Sequence, residues 1–298
     1  MNKIKTSVIG SYPIDIDRMD LMMDYFEQKE SNWNKYIDTA TYDMVKAGID
    51  IISDGQTRDS FVNIFTRKLK GRRIRARTEI INKVEYNLPI TVDDQKYIKK
   101  IIPKNKEIVG VITGPYTLTK SSINLFYNDT KELAFDFAYA LAEEAKELQK
   151  SVDLISIDEP YFSVDFPGYG KDIISVITKN LKCSTRLHVC GDVSKIIPDI
   201  LDMPVDIISH EFKASSKLFN EFGKYNVTKN ICLGSVCSDN IRIETVDEII
   251  KHLQKGIEAF GGKISQFAPD CGLRLLPRNI AFQKLKNLVT ARDKFYGE

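Results

Sequence analysis

The chain has 298 residues, with 43 basic and 41 acidic side chains and a formal charge of +2. So small an imbalance gives no electrostatic basis for nucleic acid or an anionic membrane as the main partner, and no apolar run approaches the ~20 residues of a membrane helix. Met1-Asn2-Lys3-Ile4-Lys5 is followed by no apolar leader and no Pro/Ser/Gly-rich linker divides the sequence, so one domain over 1–298 and a cytoplasmic location are expected.

Along the chain, short β-branched runs ending in Gly, Pro or an acidic residue alternate with amphipathic stretches. The runs predict strands at 7–12, 51–55, 108–114, 154–160, 185–191, 206–212, 230–236 and 264–271. Between them, 131–150 puts Leu133, Phe137, Leu141, Ala145 and Leu148 on one helical stripe, and 245–260 does the same with Val246, Ile249, Ile250, Leu253 and Ile257. Eight strands alternating with helices predict a parallel (β/α)8 TIM barrel, whose chemistry sits at the carboxyl ends of the strands. A doubly wound open sheet is the alternative, but its Gly-x-Gly-x-x-Gly fingerprint is absent.

One segment breaks the rhythm. At 66–77 the alternation of Arg73, Arg75 and Arg77 with Ile74 and Ala76 predicts a solvent-facing β-hairpin inserted after the second strand. A solvated hairpin is the plain reading, docking to an acidic protein or an anionic cofactor the second, and nucleic acid the third. No aromatic stacking platform accompanies the charges, which makes nucleic acid the least favoured of the three.

The chemistry gathers late in the chain. In an extended strand His188 and Cys190 project to one side while Leu187 and Val189 face an apolar layer, so an imidazole and a thiol share a wall. That pair supplies half of a tetrahedral zinc site, and Glu211 and Cys271, at the ends of the sixth and eighth strands, are the candidates for the remainder. On the sixth strand the bulky set Ile208, His210 and Phe212 suits the helix layer, which turns Glu211 inward. The five cysteines, Cys183, Cys190, Cys232, Cys237 and Cys271, are odd in number and lack Cys-x-x-Cys spacing, so reduced thiols are expected.

These residues sit among a series of short motifs: Ile9-Gly10-Ser11-Tyr12-Pro13, Thr113-Gly114-Pro115, Ile157-Asp158-Glu159-Pro160, His188-x-Cys190, Glu211 and Pro269-Asp270-Cys271-Gly272-Leu273. In that order, over nearly the whole chain, they resemble the catalytic domain of cobalamin-independent methionine synthase. The resemblance implies a methyltransferase on a (β/α)8 barrel, with one zinc ion held by His188, Cys190, Glu211 and Cys271 and homocysteine converted to methionine. Such an ion would deprotonate the incoming thiol, with the Glu211 carboxylate as the ligand most easily moved aside. The Ile9-Gly10-Ser11 match implies a grip on the substrate carboxylate through Ser11, and Asp158 matches the carboxylate that pairs with the ammonium.

Departures from the family pattern bear on the substrates. Gln56 stands where the longer enzymes have a glutamate that also contacts the ammonium, so it accepts a hydrogen bond but contributes no full charge. Ser121 stands where a pterin-stacking tryptophan is found in the folate-dependent members, and Asp239 where a histidine assists the folate leaving group. Asp239 is therefore a catalytic candidate, with capping of the following helix as its other reading; Cys237 is a spare thiol or an alternative ligand. The sequence is similar to the short, single-domain archaeal-type members, without the additional N-terminal barrel of the long enzymes. For these the implied methyl donor is methylcobalamin or a methylated corrinoid on a carrier protein. Corrinoid-dependent methylation of coenzyme M or another small thiol is the alternative activity, and a zinc scaffold docking through the basic hairpin is the non-catalytic one.

Overall fold

The computed structural model describes residues 3–27 and 31–297; Met1 and Asn2, read above for a leader, lie outside the described residues. The strands in chain order are β1 (Lys5–Thr6), β2 (Ile51–Ile52), β3 (Arg72–Ile74), β4 (Thr78–Ile80), β5 (Glu107–Thr113), β6 (Ile123–Asn124), β7 (Leu154–Asp158), β8 (Ser184–His188), β9 (Ile207–His210), β10 (Asn230–Val236) and β11 (Ile264–Pro269). Eight of them form one sheet in the order β1-β11-β10-β9-β8-β7-β5-β2. Their pairings are all parallel, and a bridge between Ser7 and Ile51 joins the two ends, so the sheet closes into the expected barrel. No described helix is long and apolar enough to cross a membrane.

The helices pack as their stripes require. Helix Thr130–Leu148 buries Leu133, Phe137, Leu141, Ala145 and Leu148, and Asp129 caps it by accepting from Lys131 N–H. Helix Val246–Phe260 buries Ile249 and Leu253 and starts at a capping box in which Thr245 and Glu248 satisfy each other's backbone amides. Thr245 thus does what Asp239 was expected to do in its bland reading, and Asp239 stays in the preceding loop.

Several strands are shorter than their apolar runs. β1 and β2 keep two residues each, β8 stops at His188 and β11 at Pro269. Beyond three of these ends the chain turns off through positive φ, at Gly10 (49°) after β1, Gln56 (47°) after β2 and Gly191 (80°) after β8. Cys190 and Cys271 therefore stand in connections beyond the strands, and strand alternation alone does not place them.

The hairpin is present but shifted. Arg75 and Arg77 lie in its turn, only Arg73 lies in a strand, and Thr78 and Ile80 on the second strand are buried. Thr78 meets Thr66 through their hydroxyls at 2.9 Å, and β6 adds to β4 in parallel, giving a small three-stranded sheet. The polar alternation read as a solvated strand belongs to a turn, and the buried partner strand anchors the insertion to the barrel.

The last helix, Arg278–Phe295, locks the loop that follows β10. Lys284, fully buried, donates to Glu244 Oε2 at 2.7 Å, while Glu244 Oε1 accepts from Cys237 N–H at 2.8 Å. Removing one partner of such a pair strands the other charge. Lys284→Ala is expected to cost roughly 3–5 kcal/mol, read from the urea unfolding midpoint. A loss below about 1 kcal/mol, the scale of a solvated surface pair, would show that the loop is held by other means.

Candidate metal centre

The site begins with strand register. Asp158 on β7, His188 on β8 and Ser209 on β9 are successive register partners, so three polar side chains stand in one row at the carboxyl ends. Ser209 Oγ lies 3.0 Å from His188 Nδ1, which fixes the ring and leaves Nε2 free to face the loop sulfurs. Cys190 Sγ is 3.1 Å from that Nε2 and 2.9 Å from Cys271 Sγ. The three donor atoms lie within 4.8 Å of one another, compatible with ligands that would each sit ~2.0–2.3 Å from one zinc ion. Two thiols with an imidazole anchored at its remote nitrogen make a zinc donor set, and three protein ligands leave a position for a further one.

The protonation pattern points the same way. A hydrogen bond from Cys190 holds the Cys271 thiol well below its ordinary value, with His188 and the Gly272 N–H adding to it. Cys190 is pushed up by the same contact and by burial. The two sulfurs lie in contact, and both must be deprotonated to bind a cation, so metal binding there releases protons. Burial works against a charged His188, but Cys271 and Asp158 raise it above the usual range.

Glu211 follows β9 and is half-buried beside this group; its Oε2 accepts from Gly191 N–H at 2.9 Å. Burial raises its carboxyl, and the charges of Cys271 and Asp239 add to the effect. It lies outside the tight group of three, so the structure brings together three of the four expected ligands, with the Glu211 carboxylate bound instead to the Gly191 amide. Asp270 sets the two loops together. Its carboxylate accepts from Lys213 N–H at 3.0 Å and Ala214 N–H at 2.7 Å, which ties the end of β11 to the loop carrying Glu211. Burial pushes its carboxyl up to about 8 against those two donors.

A second cluster borders the first. A Cβ built on Gly10 would stand 2.9 Å from Gln56 Oε1 and 3.3 Å from Asp158 Oδ2, so the glycine keeps open a space between two acceptors. Ile9 is buried in the core beside it, and Ser11 reaches the ligand loop, its Oγ 2.5 Å from where a Gly272 Cβ would be. Gln56 is buried, its Nε2 has no partner, and it is the one non-glycine residue with positive φ among the described residues. Arg274 holds it there by donating to the Gln56 and Asp59 carbonyls. A strained backbone carrying an unpartnered buried amide marks a position shaped for something outside the chain.

The remaining candidates separate. Cys237 lies beyond the group of three, and burial raises its thiol to about 12, the behaviour of an inert cysteine. Asp239 is exposed in the loop after β10. Ser121 borders a cleft of about 290 Å³ together with Asn63, Arg77 of the hairpin turn and Tyr161. Glu159 is a structural carboxylate, accepting from the Tyr116 and Thr117 amides at 2.9 and 2.8 Å. Sequence reasoning missed Ser209, Arg274 and the strain at Gln56. Only Ser209 left a signal, as the inward neighbour of Glu211 on the alternating sixth strand.

Residues 4–294 match the family described as cobalamin-independent synthase, catalytic domain. The chain belongs to that family. It is a methyltransferase of the methionine synthase type. Among its relatives is the methionine synthase of Methanocaldococcus jannaschii, 36% identical over 306 residues, an alignment covering 96% of this chain and 97% of the relative. The methionine synthase of Methanothermobacter marburgensis is 34% identical and covers 97% and 99%. Among solved structures, the B12-independent methionine synthase from Shewanella sp. W3-18-1, in complex with selenomethionine, superimposes with a TM-score of 0.82. It is 26% identical, with 98% of each chain covered.

Cys190→Ser and Cys271→Ser should each lose stoichiometric zinc in metal analysis of the purified protein, whereas Cys237→Ser should retain it. Full zinc content in the first two, or its loss in the third, would contradict this ligand set.

Proposed function

We propose that the protein transfers a methyl group from a methylated corrinoid, free or on a carrier protein, to the thiol of homocysteine, with His188, Cys190, Cys271 and Glu211 as zinc ligands. The observation that carries this reading is the adjacency of two clusters. A sulfur-rich donor set lies beside a space framed by Gly10, Gln56 and Asp158, as a substrate with a thiol at one end and an amino acid at the other requires. The selenomethionine bound to the similar Shewanella protein has the same amino-acid end as that product.

Each residue has a task. A zinc ion bound there supplies the Lewis acidity that makes a thiol of ordinary pKa ~8.5 a thiolate at neutral pH. Ser209 keeps His188 Nδ1 engaged and so commits Nε2 to the ion. Glu211, whose carboxylate accepts from the Gly191 amide, would be the ligand most easily displaced by a substrate thiol. Asp158 Oδ2 and Gln56 Oε1 accept from the substrate ammonium, and Ser11 faces its carboxylate. The sulfur takes the methyl carbon, the electron pair of the broken carbon–cobalt bond stays on the corrinoid, and the thiol proton is released.

The donor assignment has its own support. Ser121 gives the cleft beside Arg77 and Tyr161 no broad indole face on which a pterin would stack. A corrinoid leaving group also needs no proton, so nothing is lost in having an exposed aspartate at 239. Coenzyme M is the weaker acceptor because its anionic tail would meet the Asp158 carboxylate.

In a methyl-transfer assay with methylcobalamin, homocysteine should exceed coenzyme M by at least tenfold in kcat/KM, equivalent to about 1.4 kcal/mol, and methyltetrahydrofolate should give no turnover as donor. Turnover with the folate, or a preference for coenzyme M, would overturn the donor or the acceptor assignment respectively.

A further inference from the structure

Resting on the homocysteine reading above, we infer that Ser156 and Arg186 form a buried relay that fixes Asp158 on the amino end of the substrate and thereby selects ammonium-bearing thiols. Arg186 is fully buried on the barrel axis, and its donors all meet neutral groups. These are Ser7 Oγ at 3.0 Å, Gln266 Oε1 at 2.9 Å, the Val8 carbonyl at 2.9 Å, Ser156 Oγ at 3.1 Å and, more distantly, Cys232 Sγ at 3.7 Å. A guanidinium taken out of water without a touching carboxylate is costly. Its charge is spent through one intermediary.

Ser156 is the register partner of Arg186 across β7 and β8, and Asp158 and His188 are the next inward pair above them. Because a guanidinium only donates, Ser156 Oγ must accept from Arg186 Nε, and its own proton then turns to Asp158 Oδ1, 2.9 Å away. The relay thus has one direction, and it occupies Oδ1. No protein donor among the described residues reaches Oδ2, the oxygen beside the Gly10 space that Gln56 Oε1 also faces. An ammonium, with three donors, satisfies both acceptors at once. A thiol without the amino group leaves a desolvated carboxylate oxygen unpaired.

Ser156 and Arg186 are positioning residues, because neither faces the Gly10 space. The test compares L-methionine with 4-(methylthio)butanoate, the same molecule lacking the amino group, by titration calorimetry on zinc-loaded wild type and Ser156→Ala, with zinc content and circular dichroism matched. The wild type should prefer L-methionine. Ser156→Ala should weaken L-methionine about tenfold and leave 4-(methylthio)butanoate unchanged, so that the preference shrinks by the same factor. Equal weakening of both ligands, or of neither, would overturn the relay while leaving the homocysteine reading intact. A wild type that does not distinguish the two ligands would overturn the homocysteine reading itself, and the relay with it.

Discussion

Closure of the barrel by parallel pairing, in register from β7 through β9, is the constraint on which the rest depends. Register partners lie level with one another, so Asp158, His188 and Ser209 arrive as a row, and Ser156 and Arg186 as the row beneath. The upper row begins both halves of the site. His188 starts the sulfur-rich group, and Asp158 starts the space beside Gly10. Loops beyond the strands add Cys190, Glu211 and Cys271, and Asp270 staples two of those loops together through the Lys213 and Ala214 amides.

The interior beneath this row is unusually polar for a core. Arg186, Ser7, Ser156, Cys232 and Gln266 occupy the barrel axis, and each hydrogen-bonds or contacts the guanidinium. A fully satisfied polar cluster of this kind rigidifies the elements it joins. Here those elements are β7, β8, β10 and β11 together with the residue that follows β1, so strands from opposite sides of the barrel are joined beneath the site. Histidines outside the cluster behave differently. His210 and His252 accept burial by staying neutral, with values lowered to about 3 and about 4, and both pack among phenylalanine rings.

Much of this was legible in the sequence, and the limits have physical causes. Eight β-branched runs alternating with amphipathic stripes reveal the barrel because burial on both faces writes itself into composition. His188-x-Cys190 and Cys271 reveal the centre because few residue types bind a soft cation. The predicted strand ends run too long, since Ile9 and Val189 continue the apolar pattern up to Gly10 and Gly191, where positive φ turns the chain away. The arginines at 73, 75 and 77 mimic a strand although two of them form its turn. Ser209, Ser156 and Arg274 act through partners set by register or by loop crossings, which no local pattern encodes. Arg274 reaches back 218 residues to the Gln56 carbonyl.

The central claim is that the sulfur-rich centre holds an ion with a position that substrate can take. Zinc-edge X-ray absorption of the metal-loaded protein tests it most directly. The account predicts two sulfurs at ~2.3 Å with nitrogen and oxygen at ~2.0–2.2 Å, and a third sulfur replacing an oxygen when homocysteine is added. A first shell that stays unchanged on adding homocysteine, or one without two sulfurs, would contradict it.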